Sequence, residues 1–264
     1  MNILCCFKLV NDLDLVMEKD WMSAGVASVD MSYTKIIINC YDEAGLETAL
    51  RIKDRAESSG ERVLITAVTV GSGNFEAFFK NLFAVGIDRI LQVKAPNDSP
   101  FTPDRISSII CEAAKLCKYD AVITGIQSAD GSNGLTPYLL AEKLGIPCID
   151  NVIELQYVNG ALRASCDTGH GLRRATVGTC ALYTIGNSAN PYLRMATLKQ
   201  KLSVSKMSAE IIERPELWEN GGRDSALCAL SREKKARHCV FVQGETCEEK
   251  AAALLAAYPE VRKA

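Results

Sequence analysis

The feature that most constrains the fold is an alternation, over residues 1 to about 150, of short β-branched runs with longer stretches of helical periodicity. Such alternation is typical of a parallel sheet covered by helices, so we predict an α/β fold with a mainly parallel sheet flanked by helices. The predicted strands are residues 2–7, 35–38, 62–70, 89–93 and 119–124, and the predicted helices are residues 42–59, 74–85, 103–118 and 132–144.

The pattern changes after Pro147. Residues 152–158, 162–166, 172–177 and 180–185 read as further strands, with Asn159-Gly160 as a hairpin turn, and we expect them to form an antiparallel extension at the sheet edge. Residues 199–235 are irregular and charged, which indicates an arm. A last strand at 238–242 precedes a capping box, Thr246 to Glu249, that opens a helix through Ala257. We therefore predict an α/β domain with its extension at 1–200, and a C-terminal arm with a terminal strand-helix unit at 201–264.

Composition disfavours several classes of function. The net charge of −2 supplies no field for holding a polyanion, so no nucleic acid partner is expected. No apolar run reaches the length of a membrane span, so we expect no membrane insertion and a cytoplasmic location. The eleven cysteines are odd in number and lack Cys-x-x-Cys spacing, which indicates reduced thiols, although a reactive or cluster-binding role for some of them stays open. The two histidines exclude a multi-histidine metal site.

Two glycine-rich turns follow predicted strands, at the sheet edge where open α/β folds bind ligands. The first, Gly71-Ser-Gly73, lacks the third glycine of a dinucleotide fingerprint because Glu76 stands at that position, and no P-loop lysine follows. By itself this turn indicates no more than a tight connection.

The second turn runs from Gly125 to Tyr138 and is rich in glycine, serine and asparagine. Small residues let backbone N–H groups approach an anion, and a helix that begins near Ser132 would direct its positive end at a phosphate. A simple Ser/Asn helix cap with no ligand explains the same spacing equally well. The residues alone leave both interpretations open.

The second turn also carries a resemblance. Thr124-Gly-Ile-Gln-Ser-Ala-Asp-Gly131, followed by Thr136 and by Leu140-Ala-Glu-Lys-Leu-Gly-Ile-Pro147, is similar to the signature region of electron-transfer flavoprotein beta subunits. Weaker matches occur in the family's order at Cys6-Phe-Lys8, at Asn39-Cys-Tyr-Asp-Glu43, at Val68-Thr-Val-Gly71 and at Ala84-Val-Gly-Ile-Asp-Arg89. The resemblance covers about residues 1–200 and implies the adenine-nucleotide-hydrolase-like fold of that family.

The resemblance also implies ligands. It implies one adenine nucleotide, AMP or FAD, in this chain, and an electron-carrying FAD in a partner alpha subunit. No catalytic residue and no independent catalytic activity are expected, because the cofactors carry the electrons. Carried over by position, the nucleotide contacts are Cys6, Asn39, Cys40, Tyr41, Asp42, Val70, Gly71, Gly125, Gln127, Asp130, Gly131, Ser132, Asn133, Gly134, Leu135 and Thr136.

A third implication concerns docking. Members of the family dock on dehydrogenases such as acyl-CoA dehydrogenases through a loop that corresponds here to residues 187–201. The glutamate usual in that loop is absent, which predicts a divergent branch with its own dehydrogenase. The docking residues carried over are Asn190, Pro191, Tyr192, Leu193 and Met195.

Two other classes were weighed. A universal-stress-protein-like nucleotide sensor shares the α/β architecture but acts as a homodimer, for which the extension and the arm are superfluous. A hydrolase built on Asp167 and His170 lacks the Gly-x-Ser-x-Gly turn that would supply a nucleophile. We expect His170 to lie exposed in a turn.

Overall fold

A computed structural model describes residues 1–22, 29–95, 102–178, 180–213, 216 and 240–258. By internal packing the chain divides into two units, Met1–Leu230 and Ser231–Ala264. The expected boundary at residue 200 lies within the first unit. The described segments contain no helix long and apolar enough to cross a membrane.

The first unit is built on strands that follow the predicted pattern closely. They are β1 (Asn2–Cys6), β2 (Leu9–Asn11), β3 (Ile36–Ile38), β4 (Leu64–Val70), β5 (Arg89–Val93), β6 (Ala121–Gly125), β7 (Cys148–Val158), β8 (Ala161–Asp167), β9 (Leu172–Val177), β10 (Ala181–Ile185) and β11 (Glu210–Ile212). The main sheet has the order β11-β5-β4-β1-β6-β10-β7-β8-β9, and β2 pairs with β3 in a small antiparallel sheet of its own. The mainly parallel sheet is thereby confirmed.

The helices of this unit are α1 (Glu18–Met22), α2 (Cys40–Ser58), α3 (Glu76–Val85), α4 (Pro103–Ala114), α5 (Thr136–Leu144) and α6 (Leu198–Ser203). The core has two parts, one on each face of the sheet. One part joins the buried side of α2 and α3 to one face of the strands, and the other joins α4 and α5 to the opposite face. Neighbouring residues of β1 separate accordingly, Cys5 into the first part and Cys6 into the second, because strand side chains alternate between faces.

The expectation of a wholly antiparallel extension is wrong for one strand. β7, β8 and β9 form an antiparallel meander at one edge of the sheet. β10 instead lies between β6 and β7 and is parallel to both, with Tyr183 opposite Ile123. All five of its residues are buried, and that burial on both faces is typical of a central parallel strand.

The chain after residue 200 also returns to the sheet. β11 pairs parallel with β5, so this part of the expected arm is an edge strand. In the second unit, helix α7 (Cys247–Ala257) begins with the predicted capping box, because the Thr246 side chain accepts from the Glu249 N–H and the Glu249 side chain accepts in return. Of the strand expected at 238–242, residues 238 and 239 lie outside the described residues, and 240–242 form no strand.

Candidate functional site

The candidate site lies at the carboxyl ends of β1 and β6, which are adjacent and parallel. From β1 the chain builds the sheet outward through β4 and β5, then crosses to the other side of β1 to form β6. Such a reversal of strand order opens a crevice beyond the carboxyl ends of the two strands, where open α/β sheets bind ligands. The topology therefore selects the turn after β6 over other loops.

A buried carboxylate joins the two strand ends. Asp42, in the first turn of α2, accepts the N–H of Lys8 at 2.9 Å through Oδ2 and the N–H of Gly125 at 2.8 Å through Oδ1. Burial has the largest effect on the Asp42 carboxyl and raises its pKa to about 6. Hydrogen bonds donated by Lys8, Asn39 and Gly125 lower the pKa in part. A Cβ at Gly125 would lie 2.4 Å from Asp42 Oδ1, so only glycine permits this approach.

The neighbouring Asn39 holds the loop further along. Its backbone N–H donates to the carbonyl of Lys8 at 2.9 Å, which fixes the start of α2 beside β1. Its side-chain Nδ2 donates to the carbonyl of Gln127 at 2.8 Å, and its Oδ1 accepts the N–H of Ala129 at 3.1 Å. Both ends of this buried amide are therefore committed to the loop after β6.

An ion pair completes the attachment of the loop. Lys8 Nζ lies 2.6 Å from Asp130 Oδ2 and 2.7 Å from Oδ1. The negative charge of Asp130, which would repel a phosphate, is thereby balanced beside the loop. Lys8 was not among the predicted contact residues, although its position just after the first strand was a usable signal.

The second half of the loop presents free donors. Among the described residues, no acceptor is found for the N–H groups of Gly131, Asn133, Gly134 and Thr136. Helix α5 has no side-chain cap. Because Pro137 has no N–H, the one further first-turn donor with no acceptor among the described residues is the N–H of Tyr138. Backbone donors in small residues at a helix N-terminus are the kind of donor set that fits a phosphate.

The start of α5 differs from the sequence prediction. The helix begins at Thr136 and not near Ser132, and Leu135 occupies the cap position. Ser132 and Gly134 have φ angles of 47° and 62°, which no right-handed helix accommodates. The Ser/Asn cap, which the sequence left open as the alternative to a phosphate-binding loop, is not formed, and the Asn133 side chain instead accepts the N–H of Leu135.

The end of β4 lies next to β1, as its pairing of Cys6 with Val68 requires. Gln92 fixes the following turn by donating to the carbonyls of Gly71 and Gly73 at 2.8 and 2.9 Å. Burial raises the pKa of the Cys6 thiol, so this residue is a neutral, apolar part of the site. In the described part of the chain, no cluster of His, Cys, Asp or Glu is arranged to hold a metal ion.

The family model of the electron transfer flavoprotein domain matches residues 26–214 of the chain. This chain belongs to the electron transfer flavoprotein family. It is 29% identical over 253 residues to a putative electron transfer flavoprotein subunit, YgcR, of Escherichia coli strain K12, covering 95% of each chain. It is 33% identical to an electron transfer flavoprotein subunit beta of Bacillus subtilis strain 168 over 126 residues, which are 47% of this chain and 46% of that one. A probable beta subunit of Saccharomyces cerevisiae is 25% identical over 227 residues, 82% of this chain and 85% of that one. The chain is thus a divergent, beta-like family member.

In this family member, the residues predicted to contact nucleotide gather at one edge of the sheet. Those on β1, at the start of α2, at the end of β4 and after β6 are brought together by the pairing of β1 with β4 and β6. Their surroundings differ. Asn39 and Asp42 are buried and occupied with the loop, whereas Cys40 is exposed and Tyr41 is half-buried.

The predicted docking residues fall into two groups. Tyr192 and Met195 project into solvent, with 77% and 94% of their surface exposed, and Pro191 is also exposed. Asn190 and Leu193 are half-buried, and Leu193 packs against the core beneath α2 and α3. Leu193 therefore anchors the segment to its own subunit.

Two exposed leucines that follow in the chain were not among the predicted docking residues. Leu198 and Leu202 are one helical turn apart on α6 and are 74% and 66% exposed. We call these two leucines, Tyr192 and Met195 the apolar face, because all four are exposed apolar residues within eleven positions of the chain. Its segment is fastened to α2 by Arg194, whose Nε and Nη2 donate to Glu47 at 3.0 Å. The i, i+4 spacing of Leu198 and Leu202 was the sequence signal that could have indicated an apolar side of this helix.

Proposed function

We propose that this chain binds one adenine nucleotide, AMP or FAD, and pairs with an FAD-containing alpha-type subunit to pass electrons between a dehydrogenase and a downstream acceptor. Family membership supports the electron-transfer role. The observation that carries the nucleotide assignment is the row of free N–H groups at Gly131, Asn133, Gly134 and Thr136, beside the uncapped start of α5. When bound, the flavin supplies the electron-carrying chemistry, and this chain binds and orients.

The phosphate would lie against these backbone donors. Gly131 and Gly134 leave room for close approach, and the positive end of the α5 dipole favours the negative charge. The side chains of Asn39 and Asp42 hold the first half of the loop by hydrogen bonds. The backbone N–H groups of the second half are therefore positioned before the ligand binds. A preformed set of donors loses less conformational freedom on binding.

The deciding experiment is co-expression with an alpha-type subunit, followed by purification, an absorbance spectrum and identification of the nucleotide released on denaturation. We expect a heterodimer with either one flavin plus AMP or two flavins. The released nucleotide separates AMP from FAD, which present the same adenine and phosphate to the loops. A stable homodimer that ignores the alpha-type subunit would contradict the proposal and favour the sensor alternative.

Variants of the loop test the site itself. Thr136→Ala removes a hydroxyl beside the uncapped helix start, and Asp130→Ala removes the partner of Lys8. Both variants are expected to lose nucleotide on purification while the circular dichroism spectrum remains that of the wild type. Asp167→Ala, at the end of β8, is the matched control and should retain nucleotide. Unchanged nucleotide content in both loop variants would refute the assignment.

For docking, we assign the apolar face to the dehydrogenase. Exposed apolar side chains on a segment held by an ion pair to a buried carboxylate, here Glu47, are typical of an interaction surface. Met195→Ser combined with Leu198→Ser should slow electron transfer from the dehydrogenase and leave nucleotide content unchanged. Leu172→Ser, which alters an equally exposed leucine on the far edge strand β9, is the control. Equal rates in the two variants would rule out this surface.

The state of the cysteines fits a reducing compartment. No disulfide joins the cysteines in the described part of the chain. Free thiols in this number are usual in the cytoplasm, which we propose as the location.

A further inference from the structure

The Asp42 side chain is used in an unusual way for its position. An aspartate in the first turn of a helix commonly faces solvent or the N–H groups of its own helix. Here both oxygens accept from other elements, at Lys8, 34 residues before it, and at Gly125, 83 residues after it. The side chain is buried, so this arrangement is not a surface accident.

Three side chains hold the loop after β6 in place along residues 125–130. One follows β1, and the other two lie at the start of α2. Asp42 accepts the N–H of Gly125. Asn39 donates to the carbonyl of Gln127 and accepts the N–H of Ala129, and Lys8 pairs with Asp130. The residues that follow Asp130 carry the free donors. The first half of the loop is therefore fixed by side-chain contacts, and the second half presents free N–H groups to a ligand.

Asp42 makes the central contact among these three side chains. It joins the end of β1, which carries Lys8, to the end of β6, where the loop begins, and it sits against Gly125 so closely that a Cβ would collide with it. We propose that Asp42 is a positioning residue whose ionised carboxylate, by accepting the N–H groups of Lys8 and Gly125, holds the loop in the arrangement that receives the nucleotide phosphate. This inference rests on the proposed nucleotide site and adds a pH-dependent control to it.

The pH dependence follows from the acceptor chemistry. Two N–H groups need two acceptor oxygens, and protonation converts one oxygen into a hydroxyl, which is itself a donor. The titratable groups that interact electrostatically with Asp42 are Lys8 and the thiols of Cys5 and Cys6 on β1. Asp130, in the loop, forms an ion pair with Lys8. Because burial raises the pKa of Asp42 to about 6, the carboxylate changes state close to neutral pH.

The size of the effect follows from the competent fraction. About one unit below the pKa, roughly a tenth of the molecules keep the carboxylate ionised, so the apparent dissociation constant should rise about tenfold. Over the same range the fold itself should persist, because the protonated acid suits a buried position better than the charged form.

The test uses the full chain, freed of nucleotide, with AMP and FAD as probes at about pH 7 and about pH 5. We expect the affinity of the wild type for its preferred probe to fall about tenfold at the lower pH. Asp42→Asn places an amide nitrogen against a backbone donor, so it should bind weakly at both values and lack the additional fall. Glu57→Gln, which removes an exposed charge from the same helix, should match the wild type. Free AMP titrates identically in all three experiments, so the difference between proteins isolates the contribution of residue 42 to the bound state.

A readout without ligand guards against a misfolded variant and separates the two proposals. Amide hydrogen exchange at Lys8 and Gly125 should be faster in Asp42→Asn than in Glu57→Gln at the same pH. Nucleotide binding with parallel pH profiles in wild type and Asp42→Asn, or unchanged exchange at both amides, overturns the role of Asp42 alone. If Asp42→Asn does not fold, the pH dependence of FAD binding by the wild type tests the role of Asp42. The diphosphate of FAD does not titrate in this range, so an affinity that does not change with pH overturns the inference. Failure of every protein to bind either probe overturns the proposed nucleotide site itself.

Discussion

Replacing Gly125 by alanine tests whether the close packing at the end of β6 holds the loop. The new Cβ would lie 2.4 Å from Asp42 Oδ1, 2.8 Å from Tyr41 Cβ and 2.9 Å from the Asp42 backbone nitrogen. These atoms belong to a helix start and a short, buried side chain, so they have little room to move. Either α2 or the loop must shift.

The cost can be worked from two contributions. Forcing a methyl group into a filled space costs about 1–3 kcal/mol. Losing the hydrogen bond from the Gly125 N–H to a buried carboxylate costs about 1.5–3 kcal/mol, and the two overlap because one shift relieves both. We expect the free energy of unfolding to fall by about 3 kcal/mol, which for a domain of this size lowers the melting temperature by about 6–12 °C.

The assay is urea denaturation of the full chain followed by circular dichroism, with nucleotide retention measured on the same samples. Gly178→Ala is the matched control, because its Cβ would meet no atom within 4 Å and its backbone is not left-handed. It should change the free energy of unfolding by no more than about 0.5 kcal/mol. If Gly125→Ala were as stable as Gly178→Ala and kept its nucleotide, the described packing of Asp42 beneath the loop would be refuted.

Two further predictions concern charged groups. Glu47→Gln should lower the free energy of unfolding by about 2 kcal/mol, because Glu47 is buried and would leave Arg194 poorly paired, whereas Asp54→Asn, at the exposed partner of Arg194, should cost less than about 1 kcal/mol. Urea denaturation of the two variants checks this, and equal losses would contradict it. For Asp42, the raised pKa means that the folded state holds the proton more tightly than the unfolded chain. Its contribution to stability is therefore largest below about pH 4 and is lost as the pH rises through about 6. The difference in unfolding free energy between wild type and Asp42→Asn should fall over that interval, and a difference that rose with pH would show that the carboxylate is better stabilised than its burial indicates.

Much of the fold could be predicted because local patterns and tertiary packing agree. Apolar runs of strand length alternate with helices in the first 150 or so residues, and each expected strand there appears within a few residues of its place. β10 was placed wrongly because a mostly apolar run of five residues has the same appearance in an edge strand and in a central one. β11 was missed because its three residues become a strand only by pairing with β5.

The sequence indicated which segments meet at the candidate site but not which contacts their side chains make. The glycine-rich segment after β6 is visible in the sequence, and so are Asn39 and Asp42. Sequence cannot show that these two side chains face the loop from below, because their partners lie more than eighty residues away at Gly125, Gln127 and Ala129. Nor could it separate Leu193, which packs inward, from Met195, which is exposed.

By itself, the sequence determined the alternation of strands and helices and the backbone flexibility of the loop, since both depend on neighbouring residues. The tertiary structure alone decided which strand is central, which side chains carry the loop and which apolar residues remain exposed. The physical reason is that burial and long-range hydrogen bonding are properties of the packed chain, where one carboxylate joins residues distant in sequence. At Asp42 this packing also moves the pKa to about 6, a value that no local pattern in the sequence contains.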